Sequence, residues 1–74
     1  MTLQNAKIGA VYTVKSLDLD RATTRRLEAL GLTKGTDIKI LNRSRGGSLI
    51  LMVRGSRLAV GGKIAETIHT EEVS

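Results

Sequence analysis

His69 is the sole histidine of the chain, and in the run "HTEE" it stands two residues before Glu71. On a strand these two side chains share a face, which makes them weak candidates for a surface metal site. A transition-metal site ordinarily needs about three or four converging ligands that include His or Cys. The chain has no cysteine. A solvated histidine is therefore the stronger reading, and no metal or other cofactor is expected. Without cysteine there is no Cys–His nucleophile either. Serine, histidine and aspartate are present, but their spacing establishes no triad, and 74 residues leave little volume to enclose one. Asp18 and Asp20 precede a helical pattern and Asp37 stands at a strand edge, where capping and solvation account for them. An enzyme is not expected.

The second place where chemistry could hide is "RRLEALGLTKG", Arg25 to Gly35, with two glycines close to a helix. Glycine-rich loops cradle phosphates in the patterns G-x-G-x-x-G and G-x-x-x-x-G-K-[ST], and neither occurs here. The structural reading is more complete. Asp20 suits the N-cap of a helix over about Arg21 to Leu30, with Leu27 and Leu30 as a narrow core-facing stripe. Arg21, Arg25 and Glu28 fall on its outer side. Gly31 is placed for a left-handed helix stop, after which Leu32 packs back on Leu27. Gly35 fits the third position of a type II turn in "TKGT".

Charge is the third signal. The twelve Lys and Arg residues outnumber the seven Asp and Glu, for a formal net charge of +5. Arg43, Arg45, Arg54 and Arg57 are expected to cluster at neighbouring turns. Nucleic acid would use such a patch, but single-strand readers add aromatic stacking platforms, and Tyr12 is the only aromatic residue. A solvated or protein-facing charge set is favoured. The same shortage argues against a proline-rich peptide groove.

These residues must be held by a small scaffold. The hydrophobic fraction is 41%, so the core is expected from Leu, Ile, Val and Met. Strand patterns cover Ala10–Leu17, Thr36–Arg43, Ser48–Val53 and the run "RLAV", with turns at "RSRGGS" and "RGSR". In the first strand Tyr12, Val14 and Ser16 share one face. The tail "KIAETIHTEE" suggests one short helical turn and then a closing strand. This pattern predicts a mainly β fold, a small five-stranded SH3-like barrel with one inserted α-helix, as a single domain over residues 1–74. An OB-like barrel is the alternative. "SLILMV" is apolar on both faces. If Leu49, Leu51 and Val53 face the core, Ile50 and Met52 face outward unless other parts of the chain cover them. Uncovered, they form a partner or dimer surface. The longest apolar run, "LILMV", is far short of the roughly 20 residues of a spanning helix, and no signal-peptide core precedes it. A cytoplasmic protein is the default.

The run "RRLEALGLTKGTDIKIL", the glycine hairpin and "LILMVRGSRLAVGGKIAETI" together resemble the FeoA family of ferrous-iron transport accessory proteins. The likeness extends from about Ile8 to Ile68. It is carried by Arg26-Leu27, Leu30-Gly31-Leu32, Gly35, Gly55 and Leu58-Ala59. Lys34 stands where the family commonly has proline, and Gly61 and Gly62 stand where arginine or lysine is frequent. The resemblance implies an SH3-like cytosolic protein, not an enzyme, that binds and modulates the cytosolic part of the FeoB transporter and meets the membrane only through it. Self-association is a further expectation. Arg25 and Arg26 on the helix, with Ile50 and Met52 on the central strand, are the candidate contacts. The same domain type ends iron- and manganese-dependent repressors, so a basic nucleic-acid-binding or metalloregulator-type module is the alternative.

Overall fold

The computed structural model describes residues 2–73. After a 3-10 turn at Leu3–Asn5 come β1 (Val11–Leu17), α1 (Arg21–Ala29), β2 (Asp37–Arg43), β3 (Leu49–Val53) and β4 (Ser56–Val60). A single helical turn, α2 (Gly62–Ala65), then leads into β5 (Ile68–Glu72). The strands form one antiparallel sheet in the order β4-β3-β2-β1-β5. The expected five strands and inserted helix are present. The sheet is not closed, because no ladder joins β4 to β5.

Alternation explains which strand faces turn inward. Tyr12 and Val14 of β1, Ile38 and Ile40 of β2, and Leu49, Leu51 and Val53 of β3 are all buried, and their sequence neighbours point out. Tyr12 is wholly buried, and its hydroxyl oxygen accepts a bond from the Lys7 backbone N–H at 2.8 Å. The single aromatic residue therefore enters the core without stranding a polar atom. Leu3, Leu27, Leu32 and Ile68 complete the large side chains around it. Met52 does not contribute as expected, since it is only half-buried.

Ser16 departs from the predicted face. The β1–β5 register shifts between Val14 and Ser16, so the alternation slips and Ser16 is exposed while Leu17 turns partly inward. A second shift, between Ile40 and Asn42, bends β2 against β3. Such bulges add the curvature a small sheet needs to wrap its own core.

The corner between β1 and β2 follows from local rules. The Asp20 carboxylate accepts the Thr23 backbone N–H at 3.1 Å, capping α1. At the other end the Gly31 N–H donates to Glu28 O and the Leu32 N–H to Leu27 O, both at 3.0 Å, the paired bonds of a Schellman stop. Gly31 has φ +105°, and a Cβ there would lie 2.9 Å from Val53 Cγ1, so both conformation and space exclude a larger residue. Leu30 is not part of a core stripe: it is the C-cap, 52% exposed, because the chain turns at Gly31 and Leu32 takes the inward place. Gly35 has φ +90° and the Thr36 N–H donates to Thr33 O at 3.1 Å, completing the expected type II turn.

Candidate partner-binding surface

Among the described residues no group of three or more His, Asp or Glu side chains could hold a metal ion, and no pocket is present. His69 and Glu71 do lie on the same side of β5, but no third ligand joins them among the described residues. The His69 backbone forms an isolated bridge with Thr2 at the outer edge of β5. Glu71 pairs with Lys15 at 3.4 Å, both side chains more than half exposed. A pair that open to water contributes little stability.

The basic residues divide differently from the expected cluster. β3 runs from the β2–β3 loop to the β3–β4 turn, so Arg43 and Arg45 lie at one end of it and Arg54 and Arg57 at the other. Arg43 is also committed, donating through Nη2 to the Ala6 carbonyl at 2.8 Å. Arg54 reaches Thr33 Oγ1 at 3.4 Å and lies against Gly31, so it braces the helix corner. Arg25 and Arg26 are exposed on α1, whose one buried residue is Leu27. Among the described residues, the one carboxyl shifted clearly from its ordinary value is that of Asp20. The Thr23 hydroxyl and backbone N–H hold it below 3.8.

Ile50 and Met52 are half-buried on the outer face of the sheet. Register places Met52 between Lys39 and Arg57, and Ile50 between Asn42 and Ala59. The outer face therefore has apolar positions at its centre with cations beside them. Arg25 and Arg26 belong to a different element, and no interaction links them to this face. Arg57 and Ala59, exposed on the strand beside Ile50 and Met52, were not singled out as contacts. Their neighbourhood depends on which strands pair, and local spacing carries no signal for that.

One antiparallel sheet of five short strands, bent by two bulges and interrupted by a single helix, defines a small SH3-like domain. A family model described as "FeoA domain" matches residues 1–72, and the chain belongs to that family. An Fe(2+) transport protein A, provisionally so named, from Methanocaldococcus jannaschii is 31% identical over 67 residues, covering 90% of this chain and 80% of the relative. The solution structure of FeoA from Chlorobium tepidum superposes with a TM-score of 0.93 at 29% identity, over 100% of this chain and 71% of that one. FeoA of Stenotrophomonas maltophilia, solved with zinc, has a TM-score of 0.80 at 28% identity, over 96% and 89%. That protein is described as an SH3 domain protein, with a suggested role as a ferrous-iron-transport activating factor. FeoA proteins are small accessory proteins of ferrous iron transport.

Proposed function

We propose that this chain acts as one non-catalytic, cytoplasmic FeoA-like domain that binds the cytosolic part of the FeoB transporter and modulates ferrous iron uptake. The observation that carries this reading is the family match over residues 1–72. Three features of the chain support it. No helix among the described residues is long and apolar enough to cross a membrane, so membrane contact through a partner fits. Arg25 and Arg26 stand exposed on α1, and exposed charge steers association. Ile50 and Met52, the latter flanked by Lys39 and Arg57, supply apolar area of the kind found at interface centres.

The test is capture of this chain by the transporter's isolated cytosolic domain, with and without guanine nucleotide. Binding is expected. The double variant Arg25→Glu/Arg26→Glu and the variant Met52→Ser are each expected to weaken it about tenfold or more. Unchanged affinity in both variants would remove these residues from the interface. Failure of capture in every nucleotide state would remove the partner. Tight binding to duplex DNA with a steep salt dependence would instead establish the nucleic-acid alternative. Zinc or Fe(II) titrated into wild type and His69→Ala is expected to bind weakly and equally, since His69 and Glu71 gather no further ligands.

A further inference from the structure

The β3–β4 hairpin turns through Arg54 and Gly55, with φ of 50° and 82°, a two-residue type I′ connection. In that geometry the pairs Val53–Ser56, Leu51–Leu58 and Leu49–Val60 exchange ladder bonds across the hairpin. Arg57 and Ala59 then direct their N–H and C=O groups away from β3. Among the described residues no turn or loop bond reaches these groups and no strand pairs with β4 on that side, and both residues are exposed. The free stretch is short. It is bounded by the Arg54–Gly55 turn at one end and, at the other, by Gly62, whose missing Cβ would lie 3.1 Å from Gly47 O.

A free strand edge is a template for another strand, and proteins commonly blunt it with proline, a bulge or a covering segment. β4 has neither proline nor bulge, and its one charge is Arg57: the chain contains no proline, and the β3–β4 register is unbroken from Leu49–Val60 to Val53–Ser56. The opposite edge of the same sheet is treated differently, since Thr2 bridges His69 of β5.

The side chains beside the free edge indicate what would pair with it. From Ile38 to Ala65 the chain carries Lys39, Arg43, Arg45, Arg54, Arg57 and Lys63 and no acidic residue. Arg57 lies on the outer face in the row Lys39–Met52–Arg57. Leu58 turns to the inner face, where it is half-buried against the core. An added strand would therefore meet a cation on its outer side and an apolar side chain on its inner side. Two copies joined through β4 would set Arg57 opposite Arg57 or Ala59, and in neither register does it meet an acidic partner, which disfavours self-pairing.

We propose that the β4 edge, through the backbone of Arg57 and Ala59, takes up an extended segment of another protein whose residues alternate acidic and apolar. The acidic side chains lie against Arg57 and the apolar ones continue the inner face beyond Leu58. Main-chain bonds hold the segment and the alternation gives its register, as in other strand-addition complexes. The inference does not depend on the transporter being the protein that supplies the segment.

The probe is a short acetylated peptide of alternating valine and glutamate, about seven residues long. It is added to the isotope-labelled full chain and followed by amide shifts and hydrogen exchange. The Arg57 and Ala59 amides are expected to shift and to exchange more slowly on addition. A peptide with lysine in place of glutamate, and the variant Arg57→Glu with the original peptide, are each expected to bind about tenfold more weakly or worse. Ala59→Pro, which removes an outward N–H without removing a ladder bond, is expected to abolish protection at Arg57 while the remaining spectrum persists. If Ala59→Pro does not fold, the wild-type shifts and Arg57→Glu decide the matter. No shift at millimolar peptide overturns the proposal, as do shifts confined to α1 or equal binding of the lysine peptide. Concentration-dependent shifts of Arg57 and Ala59 without peptide would assign the edge to a second copy and overturn the acidic occupant.

Discussion

The corner that joins β1 to β2 and the hairpin that joins β3 to β4 are built from similar residues, arginines beside glycines, and come to opposite ends. In the corner the backbone satisfies itself. Asp20 caps α1, Gly31 and Leu32 close it, and Thr33 and Thr36 complete the next turn. Even the Arg54 side chain is drawn onto it from the hairpin. In the hairpin one side of β4 is satisfied and the other is not. Leu27, Gly31, Leu32 and Gly35 thus hold the fold together. The backbone is left unfinished along the outer side of the hairpin, where the proposed segment would pair.

Substitutions should separate the two regions by their effect on stability. The largest loss is expected for Leu32→Ala, since Leu32 is wholly buried under the corner, at about 2–5 kcal/mol in denaturant unfolding. Gly31→Ala follows, at about 1–3 kcal/mol, from a left-handed backbone forced on alanine and a Cβ pressed against Val53. Asp20→Ala should cost less, and its effect should depend on pH. Because the folded carboxyl titrates below its ordinary 3.8, its stabilisation is complete above that value and fades as pH falls through the lowered one. The difference between wild type and Asp20→Ala should therefore narrow in acid. Arg57→Ala, at the free edge, should change stability by no more than about 0.5 kcal/mol. A large loss there would show that β4 is already part of the scaffold and erase the contrast.

What could be read from the sequence follows the same division. The Asp20 cap, the Gly31 stop and the Gly35 turn are set by bonds that span a few residues, so residue type and spacing were enough. The inward face of β3 stood only as a condition, because Leu49 to Val53 are apolar throughout and alternation alone does not choose between its faces. Ser16 was misplaced because a bulge arises between two strands, and one strand's pattern does not contain it. Leu30 was misplaced because helical spacing continues in the sequence after the helix has ended. The four arginines expected together lie at the two ends of β3, since hairpin connections reverse direction and sequence proximity says nothing of that. The open edge of β4 was illegible for a related reason: an edge is defined by the strand that does not pair with it.

The place of β1 in the sheet has a consequence for how the chain folds. It lies between β2 and β5, so one flank of it is filled by a strand from far along the sequence. Until Ile68–Glu72 pair with it, a partly folded chain holding β1 to β4 has the outer flank of β1 bare and Ile68 missing from its core. Pairings of that sequence separation form slowly, and exposed flanks invite association in the interval. The docking of β5 is thus the step that ends this exposure of β1.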